Sequence, residues 1–219
     1  TLYGFDGSIA YTGSNNNGRD NASDPAISGA NSTQSAPVQG AMSFNLGWTG
    51  YGVNIKGAFQ QANVNYVQSS GALANIGNYT SYLVGAMYTG IAGLKVSALY
   101  NRNSLGTKGA VTGLSDGSSK LSNNQFYFGT SYRMGNWEPR VSYTMTSDVN
   151  GSADNQLGAR QWAANLGYYL SKRTQVYGVV ANMNNSQNQN YFLGMQSNNL
   201  KPTGGQNLFT YGMGLRTTF

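Results

Sequence analysis

Apolar and polar residues alternate with a period of two along most of this 219-residue chain. The end shows it most clearly. Phe209, Tyr211, Met213, Leu215 and Phe219 share one parity, and Thr210, Gly212, Gly214, Arg216 and Thr218 the other. The same contrast sets Tyr3, Phe5, Ile9 and Tyr11 against Gly4, Asp6 and Ser8, and Met42, Phe44, Leu46 and Trp48 against Ser43, Asn45 and Gly47. Neighbouring side chains on a strand point to opposite faces, so the pattern predicts strands apolar on one side only. Ten are predicted, over residues 1–13, 39–47, 52–65, 78–90, 94–103, 121–133, 137–147, 159–170, 174–184 and 207–219. Their typical length matches the roughly 9–11 residues that a tilted strand needs to cross a bilayer.

The connections alternate in length. Short turns fall at Trp48-Thr49-Gly50-Tyr51, Ile91-Ala92-Gly93, Met134-Gly135-Asn136 and Leu170-Ser171-Lys172-Arg173. Between them lie long loops rich in Asn, Ser and Gly, near 14–38, 67–77, 104–120, 148–158 and 185–206. An up-and-down barrel with one loopy rim and one tight rim produces this alternation, whereas a Greek-key sandwich does not. The expected fold is therefore all-β, an antiparallel up-and-down transmembrane β-barrel of about ten strands forming a single domain over 1–219. Tyr3, Tyr11, Trp48, Tyr51, Tyr88, Tyr100, Tyr132, Trp137, Tyr168 and Tyr177 fall towards strand ends, where interfacial aromatic girdles sit.

Composition sharpens this picture. Only 9% of residues are charged, against roughly 25% in ordinary soluble domains, while Gly (30) and Tyr (16) abound. The longest nearly apolar stretch, Tyr82 to Leu94, is interrupted by three glycines and a threonine and falls short of the ~20 residues of a spanning helix. A membrane would have to be crossed by strands. The opening Thr1-Leu2-Tyr3-Gly4 reads as strand and not as a signal peptide, so the chain is expected to be mature or trimmed. The net charge of +6 comes from 13 Lys and Arg spread singly, with only Lys172 and Arg173 adjacent. No basic helix or stripe points to nucleic acid.

Chemistry is sparse. There is no cysteine and no histidine, which excludes disulfides, thiolate nucleophiles, Ser-His-Asp triads and histidine metal sites. Seven acidic residues scattered along the chain give no paired-carboxylate site. No catalytic residue, metal site or cofactor is expected. Asp148 and Asp154 share one loop and offer at most weak calcium ligation beside the plainer reading of a solvated loop. Gly106-Thr107-Lys108 lacks the upstream glycine and strand-to-helix setting of a phosphate loop and reads as surface. What remains is charge on the polar parity: Lys56, Lys95, Arg133, Arg140 and Arg216 point inward, with Asp6 and Glu138 as their acidic company. A positive wall around water would favour anions; solvated wall residues without a selective role are the plainer alternative.

Three segments resemble the general diffusion porins of Gram-negative bacteria, in their betaproteobacterial form. They are the opening Thr1-Leu2-Tyr3-Gly4, the hairpin Tyr168-Tyr169-Leu170-Ser171-Lys172-Arg173-Thr174-Gln175-Val176-Tyr177, and the ending Gly214-Leu215-Arg216-Thr217-Thr218-Phe219. The resemblance implies a water-filled channel in the bacterial outer membrane for passive diffusion of small ions and hydrophilic solutes, not an enzyme. It further implies contact with outer-membrane lipid, a homotrimer, and a closing strand (Tyr211, Met213, Leu215 and Phe219) read by the barrel-assembly machinery. Such porins have sixteen strands and an acidic third loop in the lumen. Here ten strands are readable, and loop 14–38 carries only Arg19, Asp20 and Asp24 as charges. Either a smaller barrel closes with ten strands, or part of a sixteen-stranded chain is absent. The predicted inward face is mostly small (Ser8, Ser43, Gly47, Gly85, Ser97, Gly129, Gly212), which favours an open lumen, although Leu83, Met87, Leu99 and Tyr127 partly fill it. The alternative is a closed barrel whose Asn-rich loops act as an adhesin or receptor platform.

Overall fold

The structure is a computed structural model that describes residues 3–12, 38–67, 73–106, 120–193 and 203–218. Ten strands are found: β1 (Phe5–Thr12), β2 (Val38–Gly50), β3 (Val53–Val67), β4 (Leu73–Tyr88), β5 (Leu94–Gly106), β6 (Lys120–Tyr132), β7 (Trp137–Thr146), β8 (Ala159–Tyr169), β9 (Thr174–Asn185) and β10 (Asn207–Thr217). They form one sheet in chain order, each strand antiparallel to the next. Among the described residues β1 pairs only with β2 and β10 only with β9, so the ten strands do not close into a ring of their own.

The sheet is a single layer, and its energetics follow from that. Among the described residues the buried apolar side chains are four small or slender ones, Ala62, Ala159, Ala181 and Met183. The large apolar residues stand on the opposite face instead: Phe44, Leu46, Ile55, Val84, Phe128, Val141, Leu166 and Leu215 are all exposed. An apolar face of this extent in water would cost far more than a folded chain can supply, so it requires an apolar surrounding. Strands whose backbone hydrogen bonds are satisfied by their neighbours can meet hydrocarbon on that face.

Local departures from the sequence pattern have identifiable causes. The turn expected at residues 48–51 is narrower, because Trp48, Thr49 and Gly50 remain in β2. Tyr51 and Gly52 alone reverse the chain, with φ of 50° and 76°, as a two-residue hairpin of the mirror-image type requires. At the start, Tyr3 and Gly4 also take positive φ and form a turn, so the first strand begins at Phe5. The loop expected over 67–77 is much shorter, leaving only residues 68–72 between β3 and β4. A register shift opposite Val64 and Asn65 leaves Ile76 as an extra residue in β4. That bulge breaks the alternation and hides the first turn-ward part of the strand. The strict long–short alternation of connections is correspondingly relaxed at this point. Much of the expected loops 14–38, 67–77, 104–120 and 185–206 lies outside the described residues, as do Thr107 and Lys108.

Aromatic residues gather along the rim of short turns. Trp48 lies 6.4 Å from Tyr51, and Trp137 meets Tyr168 edge-on at 4.7 Å. Two expected girdle members are elsewhere. Tyr100 sits mid-strand beside Phe126 at 5.0 Å, and Tyr177 turns to the polar face, over Gly214. Proximity to a predicted strand end fixes depth poorly when a strand is long.

Candidate functional site

The polar face is built by parity alone. Cross-strand pairing sets Lys95, Ser131, Arg140 and Asn165 in one row across β5 to β8, all on the side opposite the apolar residues. Arg216, Gln175 and Tyr169 form a second row across β10, β9 and β8. Sheet curvature brings these rows together. A recess of about 510 Å³ is bordered by Lys95, Tyr127, Glu138, Arg140, Asn165 and Arg216, although β5 and β10 are five strands apart. A second, of about 440 Å³, is bordered by Lys95, Arg133, Arg140, Lys172, Arg173 and Arg216. Both lie towards the rim of short turns.

Of the seven charged residues expected on this face, Lys95, Arg133, Glu138, Arg140 and Arg216 come together here. Lys56 and Asp6 do not border either recess and pair with each other at 3.0 Å. Gly47 separates them in the sheet, and a Cβ there would lie 2.8 Å from Asp6 Oδ1 and 3.1 Å from Lys56 Cγ. The missing side chain lets the pair reach across β2. Both partners are substantially exposed, so the bridge contributes only about 0–1 kcal/mol. Its electrostatic consequence is larger, since it cancels one of the expected wall charges.

Glu138 is the acidic residue of the basic recesses and is 6% exposed. Arg140, two positions along the same strand, donates from Nε at 3.1 Å and approaches through Nη2 at 3.0 Å. The Tyr169 hydroxyl donates to Glu138 Oε2 at 2.6 Å. Arg133 in turn lies over the Tyr169 ring, 3.9 Å from its centroid, and donates from Nε to the Gly135 carbonyl at 3.2 Å. A charged hydrogen bond, a phenol and a stacked guanidinium thus link four side chains, Arg140, Glu138, Tyr169 and Arg133, one to the next. Lys95, Arg133 and Arg216 have no carboxylate partner among the described residues.

Sequence parity misses four members of this constellation. Lys172 and Arg173 lie in the turn between β8 and β9, where alternation assigns no face; their adjacency in a short turn is the only signal. Tyr169 and Gln175 have the inward parity but no charge to single them out. Gln175 is 5% exposed and its Nε2 has no hydrogen-bond partner; Asn165 Oδ1, bordering an adjoining recess with Arg140 and Arg216, is likewise unpaired. Further from the turn rim the wall changes character. Tyr79 donates to Asn103 at 2.9 Å, Ser81 to Asn101 at 3.0 Å, and Asn101 to Gln125 at 3.2 Å. The face is thus basic near the turns and amide-lined beyond.

Nothing in this arrangement resembles a catalytic or metal centre. Among the described residues no three His, Cys, Asp or Glu side chains cluster as metal ligands. Asp148 accepts the Gly158 N–H at 2.8 Å and so closes its own loop, while Asp154 is held through its backbone N–H by Ser152. The residues Tyr211, Met213 and Leu215 line the apolar side of β10, Met213 being 93% exposed, and Phe219 lies outside the described residues.

Comparisons with known proteins agree with this geometry. Solved structures of similar fold include an anion-selective porin from Comamonas acidovorans, with TM-score 0.65 and 17% identity over 100% of this chain and 57% of that one. A porin refined at 1.8 Å resolution gives TM-score 0.62 at 11% identity, over 100% of this chain and 59% of the other. OmpF of Salmonella typhi, solved in complex with daunomycin, gives 0.58 at 16% identity, over 98% and 57%. The chain therefore spans somewhat more than half the length of the porins it matches. No curated protein sequence matches it. Residues 1–188 match the sequence pattern of the Gram-negative porins. With the up-and-down sheet, the apolar outer face and the basic inner one, that match establishes that the chain belongs to the Gram-negative porin family.

Proposed function

We propose that this chain supplies wall to a water-filled channel in the bacterial outer membrane, through which small ions and hydrophilic solutes diffuse passively. The observation that carries the proposal is the division of one sheet into an apolar face of large exposed side chains and a polar face of charges and amides. The apolar face meets outer-membrane lipid, and the polar face borders the lumen. Lys56, Lys95, Arg133, Arg140 and Arg216, with Asp6 and Glu138, are the pore-lining charges. Because Asp6 and Glu138 are each engaged by a base, the excess positive charge sits at Lys95, Arg133 and Arg216, and the channel prefers anions mildly. The protein is a channel and not an enzyme, and it works as a homotrimer in the manner of the family. Tyr211, Met213, Leu215 and Phe219 present the closing strand to the barrel-assembly machinery.

The test is conductance. Protein extracted in the folded, heat-modifiable form should give stepwise currents in planar bilayers, with a reversal potential of anionic sign across a salt gradient. Folded protein that inserts without conducting would overturn the channel reading and favour a closed platform.

A further inference from the structure

We propose that Arg102 and Arg160 hold the phosphate groups of anionic lipids against the outside of the sheet, in the leaflet at the rim of long connections. The inference rests on the reading that the apolar face meets lipid. It names the headgroup that one edge of that face takes.

The sign and place of the charges on the apolar face carry it. Among the described residues the strands put three charged side chains on that parity, Arg102, Lys120 and Arg160. All three are basic, all are exposed, and all lie at the long-connection end of their strands. In β5 the row Val96, Ala98 and Tyr100 leads up to Arg102, and in β8 the row Tyr168, Leu166 and Trp162 leads up to Arg160. Pairing runs without a register shift through both strands, so the two arginines keep the face of their rows.

Depth follows from the same rows. The interval from Tyr168 to Arg160, at about 3.4 Å per residue and a tilt of about 40°, spans roughly 20 Å along the membrane normal. An outer apolar band is about 25 Å tall, so the arginine stands near its far edge. A charge is costly at the bilayer midplane and tolerated at that edge, where the stem lies on apolar surface and the head reaches the headgroups. Aromatic residues mark the same level. Tyr82 is the direct cross-strand neighbour of Arg102, and Tyr143 pairs with Trp162 just below Arg160. All three rings are exposed on the apolar face, as interfacial aromatics are.

Charge complementarity selects the occupant. Neither arginine has a carboxylate within salt-bridge distance among the described residues. Asp148, in the connection that leads into β8, already accepts the Gly158 N–H. A second copy presenting this face brings no carboxylate either, because the described strands put none on it. Guanidinium matches phosphate oxygens two at a time, and an anionic lipid offers its phosphate without a cation of its own. Three strand spacings, about 14 Å, separate the two arginines, so each takes a separate phosphate.

The experiment uses the full chain folded in nonionic detergent, titrated with an equimolar mixture of phosphatidylglycerol and phosphatidylcholine and read by native mass spectrometry. Phosphatidylglycerol adducts should dominate. Arg102→Gln with Arg160→Gln should cut that preference by about tenfold. Either single replacement should give part of the loss, and keeps the test available if the pair fails to fold. Lys56→Gln with Lys95→Gln removes the same charge from the polar face and should leave the preference unchanged. An equal loss there would show a response to net charge alone and would overturn the proposal. So would equal binding of the two lipids, or an Arg102/Arg160 variant that alters assembly between copies and not lipid. The two readings fail separately. Protein that retains both lipids without preference keeps its lipid face and loses the site, whereas protein that retains neither loses the lipid face itself.

Discussion

Tyr169 on β8 donates its hydroxyl to Glu138 Oε2 on β7 at 2.6 Å, the same oxygen that Arg140 Nη2 approaches at 3.0 Å. The carboxylate of the basic recess is therefore engaged by two partners, and its charge is balanced locally. Replacing it by Gln keeps an oxygen for Tyr169 and removes the charge that balances Arg140. We predict that Glu138→Gln shifts the reversal potential further to the anion side in dilute salt. Glu138→Ala should in addition destabilise the fold by on the order of 1–3 kcal/mol, because it strands the Arg140 and Tyr169 donors. A reversal potential unmoved by Glu138→Gln would place this pair outside the conduction path.

Gly52 is a point of close backbone approach on the turn rim. Its φ is +76°, and a Cβ there would lie 2.4 Å from the Gly90 backbone. Gly52→Val should lower the folded yield and the temperature of heat-modification, at a cost of about 1–3 kcal/mol for strain alone. Wild-type behaviour on semi-native gels would show that the β2–β3 hairpin tolerates another turn.

How much of this was legible follows the reach of the period-two pattern. Where alternation runs unbroken, as from Phe209 to Leu215, it gives the strand, its two faces and the inward place of Arg216 together. It fails where the backbone departs from the period. The extra residue Ile76 hid the start of β4, and the turn holding Lys172 and Arg173 has no face to assign. Parity also says which side a charge occupies but not what it touches. Nothing in the order of residues shows that Gly47 lets Lys56 reach Asp6, two strands away. Ring closure depends on whether the first and last strands meet. The residue pattern leaves open whether ten strands close alone or belong to a larger ring, and among the described residues β1 and β10 do not pair.

The two rims carry a topological prediction. Short turns, Tyr3-Gly4 and Thr218 share one rim: the Thr49 N–H donates to the Gly4 carbonyl at 2.8 Å, and the Thr218 N–H to Arg173 at 3.0 Å. This rim should face the periplasm and the longer connections the outside. A tag in segment 185–206 should be labelled on intact cells, and one at Gly135-Asn136 should not. The reverse pattern would invert the assignment.

On β10 the apolar parity of Tyr211, Met213 and Leu215 is fully displayed, with no strand beyond it among the described residues. Extended by the same period, the row ends at Phe219. Deleting Phe219 should reduce the folded, membrane-inserted fraction in cells while leaving refolding in detergent largely intact. Normal insertion of the deletion variant would remove this row from the assembly step.

The last prediction concerns how far each wall charge is felt. At physiological ionic strength exposed charges are screened over about 8–10 Å, so selectivity should be modest and should grow as salt is diluted. Replacing Lys56, Lys95 and Arg140 together by Gln keeps length and polarity and should move the reversal potential towards the cation side. The three do not contribute alike. Lys95 has no carboxylate within salt-bridge distance among the described residues, so its loss simply removes a positive charge from the recess. Losing Lys56 or Arg140 instead exposes a carboxylate, Asp6 or Glu138, that the base had covered. Asp6→Asn combined with Lys56→Gln should therefore sit near the wild type, since it removes a cancelled pair. Lys56→Gln alone should shift towards cations. A channel indifferent to the triple replacement would mean that the lumen is governed by residues outside these rows.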